Sequence, residues 1–230
     1  MRKVICLVFI FFLAGGLALA DTWQERLEEI LQSSHIPPAG AEAITALFST
    51  AEDKHIPFEA LVPRLEEGTA KRVPPNRIEE VLERELNAYM KTREIVFDAL
   101  GEETAQHFLQ GTAPWSRTVI LYLQGVEQQD LIYLLQAFSR QDRAVRWTNY
   151  RYGASLYAAL NQWGLGKETS LEIVSAAADS SIPGDSYKGI LEILISGSRL
   201  RVSPDTMAER ITRALPDTAD IEELQDRVLY

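Results

Sequence analysis

Apolar residues recur along this chain every three or four positions, and that spacing confines it to helices. From Ile78 the residues Val81, Leu82, Leu86, Tyr89, Val96 and Leu100 line one side of a single long helix. Gly101 follows, where a left-handed residue would end it. Similar stripes run through 42–53, 127–138, 168–178, 186–198 and 205–215. The last stretch, 217–230, predicts a further helix with Ile221, Leu224 and Val228 inward. No segment alternates apolar and polar residues as a half-buried strand must. The expected fold is all-α.

The boundaries between stripes reuse two phrases. His35-Ile36-Pro37, His55-Ile56-Pro57 and Ser181-Ile182-Pro183 each close one stripe and open the next. A proline cannot continue the preceding helix, but its fixed φ suits the first turn of a new one. The second phrase is GTAKRVPP at 68–75 and GSRLRVSP at 197–204. There Gly68 matches Gly197, Arg72 matches Arg201, Val73 matches Val202 and Pro75 matches Pro204. Gly68 and Gly197 are expected to stop their helices at positive φ. Pro57, Pro75, Pro183 and Pro204 are expected to start new ones.

The register extends past the turn. Ile78, Leu82 and Leu86 fall on Met207, Ile211 and Leu215, while Leu61 and Leu65 fall on Ile190 and Leu194 after a three-residue insertion. Residues 43–88 and 169–216 therefore read as two copies of one three-helix unit. Such units bury their stripes against neighbours, as stacked helix-turn-helix units in a degenerate repeat array or as a multi-helix bundle. The chain divides accordingly into an N-terminal unit (21–110), a middle segment (111–163) and a C-terminal unit (164–230).

The first twenty residues differ from all of this. Arg2 and Lys3 precede an apolar run from Val4 to Leu13, then Gly15-Gly16, and Ala18 and Ala20 form a small-x-small cleavage pattern. A signal peptide cleaved after Ala20 is expected, placing the mature chain in the bacterial periplasm or outside the cell. Left uncleaved, the segment would be the chain's one attachment to a membrane. Cys6 is the single cysteine, so the mature protein has no thiol chemistry and no disulfide. Cleavage leaves 21 Lys and Arg against 33 Asp and Glu, a balance that argues against nucleic acid and anionic lipid as partners.

The middle segment breaks the acidic pattern. Residues 111–163 carry Arg117, Arg140, Arg143, Arg146 and Arg151 against Glu127, Asp130 and Asp142. They also carry Trp115, Tyr122, Tyr133, Trp147, Tyr150, Tyr152, Tyr157 and Trp163. Residues 142–163 read as one helix starting near Asp142. Along it Arg143, Arg146, Trp147, Tyr150, Arg151 and Tyr152 make up a candidate binding surface, with rings to stack on sugars or an apolar partner and arginines to hold carboxylates. The competing reading is that the rings are core and the arginines pair with neighbouring acidic helices.

No catalytic pattern emerges. GxSxG, SxxK, HExxH and a calcium loop are absent, and GLGKETS lacks the first glycine of a phosphate loop. His35 and His55 occupy one slot of a repeated turn, which suits a helix end. His107 with Glu103 reads as a helical ion pair. Catalytic residues, metal ligands and cofactors are therefore all assigned as none. The expected function is a non-enzymatic interaction module for a protein or peptide. The alternatives are a peptidoglycan-binding protein using 142–163, and an enzyme acting on peptidoglycan through a buried glutamate.

Overall fold

The computed structural model describes residues 22–230, so the expected leader and its cleavage site lie outside the described residues. Among the described residues there are twelve α-helices and no strand. In chain order they are α1 (Trp23–Gln32), α2 (Pro38–Asp53), α3 (Phe58–Ala70), α4 (Pro75–Leu100), α5 (Glu102–Leu109) and α6 (Thr112–Leu123). The second half holds α7 (Gln128–Ser139), α8 (Arg146–Trp163), α9 (Lys167–Asp179), α10 (Lys188–Arg199), α11 (Pro204–Ala214) and α12 (Ile221–Leu229). The all-α expectation holds, and the stripes fall where the periodicity places them.

Local chemistry sets the starts. Thr22 and Glu25 form a reciprocal capping box on α1, with Glu25 accepting from the Thr22 N–H at 2.8 Å. Ser203 caps α11 and Asp220 caps α12. Pro75 and Pro204 are the first residues of their helices, while Pro57 and Pro183 stand just before theirs. One start differs from expectation. Residues 142–145 form a turn, with Asp142 accepting from the Ala144 N–H at 2.8 Å, and α8 begins only at Arg146.

Five helices share one kind of end. Each closes on a residue at positive φ (His55 55°, Arg72 52°, Gly125 87°, Gly164 95°, Arg201 62°). The apolar residue that follows reaches back five positions with its N–H: Ile56 to Ala51 O, Val73 to Gly68 O, Val126 to Leu121 O, Leu165 to Leu160 O and Val202 to Gly197 O, all at 2.8–3.1 Å. This is the Schellman closure, which satisfies orphan carbonyls and tucks an apolar side chain against the helix.

The geometry corrects the roles expected of Gly68 and Gly197. Neither takes positive φ; both lie inside their helices, and Arg72 and Arg201 carry the left-handed turn. What each glycine does is let the next helix close in. A Cβ at Gly68 would stand 2.8 Å from Ile78 Cγ1, and one at Gly197 would collide with Met207. Since Ile78 and Met207 are register partners, the two hairpins share turn, hydrogen bonds and close approach. Leu61, Leu65, Leu82 and Leu86 are buried, as are Ile190, Leu194, Ile211 and Leu215. The three extra residues of the second hairpin form a 3-10 turn, Gly184–Ser186.

The histidines also need correcting. His55 sits in the left-handed slot, whereas His35 lies in a different turn shared with 180–183. In that turn Ser34 and Ser180 donate to Leu31 O and Ala177 O at 2.7 and 2.8 Å and accept from the Ile36 and Ile182 N–H. The same tripeptide thus closes two turn types, decided by the residue before it. An arginine in the left-handed region is strained by roughly 1 kcal/mol relative to glycine. Arg72→Gly is therefore expected to stabilise the protein by up to about 1 kcal/mol in urea unfolding, unlike the same change at helical Arg84.

α4 is the central strut, packing on α2, α3, α5, α6 and α7. α8 packs on α6, α7 and α9, and α11 joins α9, α10 and α12. The buried side chains run as one continuous core from Leu27 to Val228.

Candidate functional site

The aromatic-arginine helix is chiefly structural. Trp147 is only 8% exposed and Tyr150 is fully buried. Both rings stack edge-on against Phe108, with centroids 4.9 and 5.4 Å away. The Trp147 indole donates to His107 Nδ1 at 3.0 Å, so His107 serves the core and no His107–Glu103 ion pair forms. The Tyr150 hydroxyl meets Thr118 Oγ1 at 2.7 Å. Trp147 and Tyr150 therefore cannot present a face to a sugar ring, which corrects their assignment as contact residues. Arg146 lies half-buried over the Trp147 ring at 4.8 Å, with its Nε buried and unpartnered. Arg151 covers Tyr152 at 5.1 Å, both half-buried, and Arg143 is exposed in the turn before α8.

The open feature lies elsewhere. A cleft of about 530 Å3 runs between α3, α4 and the last turn of α6. Its apolar surface comes from Val73, Ile78, Val81, Ile120 and Leu123. Ile120 and Leu123, one turn apart on α6, are 36% and 38% exposed on the wall of this cleft. Four cations surround it (Arg64, Lys71, Arg77 and Arg84) against two carboxylates, Glu67 and Glu85. A positive rim on a chain of net charge −10 is a local reversal.

The helices hold these charges in fixed places. Arg64 Nε donates to Glu85 at 2.6 Å and its NH1 to Glu67 at 2.9 Å, tying α3 to α4. Lys71 donates to Glu67 at 2.6 Å. Hydrogen bonds from Lys71, then from Arg64, hold the Glu67 carboxyl below the usual carboxylate range. The bond to Glu85 raises the Arg64 guanidinium further. Glu85 is the one buried glutamate among the described residues; it lines the cleft with its carboxylate paired to Arg64. Arg84 makes no salt bridge among the described residues, which leaves a cation facing the groove.

A second cleft, about 520 Å3, lies between the α6–α7 turn and the end of α8. Its buried Asp130 accepts from the Tyr157 hydroxyl at 3.3 Å and from Lys167 at 3.1 Å, and Lys167 also reaches Glu127 at 2.9 Å. Burial first, and Asp130 second, raise the Tyr157 phenol. These charged groups satisfy one another, as do Arg64, Lys71, Glu67 and Glu85 in the first cleft, but nothing here corresponds to the unpaired Arg84. Among the described residues no three His, Cys, Asp or Glu side chains converge to hold a metal ion.

The periodicity and the aromatic-rich segment draw attention to α8 and away from the groove. Its cations are spread over two helices in the acidic N-terminal unit, where 18 Asp and Glu outnumber nine Lys and Arg. The available signal was helical spacing: Arg64 and Lys71 share one side of α3, and Arg77, Val81 and Arg84 share one side of α4. No protein-family model, curated protein or solved structure matches this chain.

Proposed function

We propose that the protein is a non-enzymatic interaction module of the bacterial periplasm, and that the groove between α3, α4 and α6 is its contact surface. The reading rests on one observation: an open apolar cleft rimmed by four cations on an otherwise acidic chain. Apolar floors supply affinity, and a charged rim selects and orients the partner. Periplasmic placement follows from the leader expected at 1–20. The burial of Trp147 and Tyr150 weakens the glycan-binding alternative, with Tyr152 left half-buried, and the one buried glutamate among the described residues is paired with Arg64.

The test is a photo-crosslinking amino acid at Leu123, installed in the full precursor and expressed in its own host, with Tyr133 as the exposed control position. One protein adduct is expected from Leu123, recovered in the periplasmic fraction, absent from Tyr133 and lost when Lys71→Glu and Arg84→Glu are added. Adducts common to both positions, or unaffected by the charge reversals, would refute the assignment.

A further inference from the structure

We infer that the groove takes an acidic amphipathic helix of a partner protein, seated on α3 and α4 much as α12 is seated on α10 and α11. The inference rests on the reading of the groove as an interaction surface and adds the chemistry of its ligand.

The two hairpins are locally the same object. Each has the five-residue closure from Val73 or Val202, the left-handed arginine, and the glycine pressed against Ile78 or Met207. In the C-terminal hairpin, one outer face is covered by α12. Gly189 of α10 lies directly under Ile221, and Arg210 of α11 donates to Val228 O at 3.3 Å. Leu224 and Val228 are buried in the same contact. By register, Gly189 corresponds to Ala60 and Arg210 to Val81. Ala60 lies on the α3 row that continues through Arg64, Glu67 and Lys71, and Val81 is the centre of the α4 row from Arg77 to Arg84. Val81 lines the groove, as does Arg64, one turn beyond Ala60. The face that α12 covers on one hairpin overlaps the face left open on the other.

What leaves it open is the extra length of α4. α6 lies along the second half of α4, fixed by Trp115 Nε1 to Thr92 Oγ1 at 3.0 Å and by Tyr89 to Ser116 at 2.6 Å. Its last turn, with Ile120 and Leu123, forms a wall rather than a cover. The space beside that wall, above α3, has Val73, Ile78 and Val81 on one side and Ile120 and Leu123 on the other.

Charge selects the occupant. α12 carries Glu222, Glu223 and Asp226 against a single Arg227, with its apolar residues at Ile221, Leu224 and Val228. The open seat presents Arg84 unpaired, with Arg64, Lys71 and Arg77 on its rim already sharing Glu67, Glu85 and Glu80, so a helix with three- and four-residue apolar spacing and flanking carboxylates is complementary to it. A basic amphipathic helix would meet like charge on both rims.

The probe is a labelled, end-blocked peptide of residues 217–230, compared with a version in which every Asp and Glu is Lys, both titrated into the full mature chain by fluorescence anisotropy. The acidic peptide is expected to bind at least about tenfold more tightly than the basic one. A similar loss is expected with Lys71→Glu plus Arg84→Glu, and none with Arg199→Glu, an exposed charge reversal outside the groove. Leu123→Glu serves as a second groove variant, with circular dichroism confirming that each variant is folded. Equal binding of the two peptides, no binding by either, or binding that survives the groove variants would overturn the inference. A self-association of the full chain that disappears in the groove variants would place a second copy's α12 in the seat and overturn the assignment to a partner. Absence of peptide binding together with a Leu123-specific crosslink would remove the helix while leaving the interaction groove standing.

Discussion

Gly153→Val is expected to destabilise the protein by about 3 kcal/mol. Gly153 lies in the middle of α8 and is buried. A Cβ there would collide with the edge of the Phe138 ring, which comes from α7. Phe138 has nowhere to go: it is fully buried, stacked edge-on against Tyr150 at 5.9 Å and tilted against Tyr187 at 6.4 Å. The absent side chain is what lets α7 and α8 approach, so valine must drive them apart or push an aromatic off its rotamer. Glycine is also a weak helix former, and about 1 kcal/mol of propensity is forgone to keep it there. For a chain of this size the loss corresponds to a fall in Tm of roughly 10 °C. Phe138→Leu, destabilising by itself, should recover part of the loss in the double variant, because the two changes act on one contact. Strict additivity of the two changes would mean that the ring is not what valine strikes.

That contact shows where sequence reading reaches and where it stops. Periodicity locates the helices because burial of one face imposes a 3.6-residue repeat regardless of what the face touches. The pairing of 68–75 with 197–204 was legible for a similar reason, since a helix end is a local event written in adjacent residues. The role of Gly68 was not legible. A glycine near a helix end can serve either a positive φ or a close approach, and only the position of Ile78 in space separates the two. Trp147 and Tyr150 pose the same difficulty on a larger scale. Aromatic residues beside arginines describe a stacking surface and a core boundary equally well, and burial by α5, which supplies Phe108, decides between them. The groove escaped notice because its cations belong to two helices and to an acidic neighbourhood. Charge summed along the chain hides what helical faces sort apart.

The aromatic core also sets an alkaline limit on the fold. Burial pushes the Tyr187 phenol up to about 12, and it pushes Tyr150, fully enclosed beside Thr118, higher still. Burial raises Tyr89 as well. Both Tyr187 and Tyr150 are neutral in the folded protein, with the Tyr187 hydroxyl donating to Ala177 O at 2.9 Å. In the unfolded chain each phenol ionises near about pH 10. Below that pH both states are protonated and stability is unaffected by these groups. Above it the unfolded state gains by releasing protons that the folded state retains, and each buried phenol removes about 1.4 kcal/mol per pH unit until its folded pKa is reached. For Tyr187 alone the total is about 3 kcal/mol, and Tyr150 adds a comparable slope. Against an overall stability of roughly 5–15 kcal/mol, the two phenols together remove about 5 kcal/mol by about pH 12, enough to unfold a chain at the low end of that range. Urea unfolding followed from about pH 8 upward should show a flat stability and then a steep fall beginning near about pH 10. Tyr187→Phe should be less stable at neutral pH by about 1 kcal/mol, through loss of the bond to Ala177. It should nevertheless decline less steeply, so that its curve crosses that of the unsubstituted protein in the alkaline range. The exposed Lys91 and Lys167 ion pairs loosen in the same range, but they are common to both chains and cancel in the comparison. Parallel curves with no crossing would show that the phenol releases its proton within the folded core, and that the packing around Phe138 and Tyr187 yields to a charge.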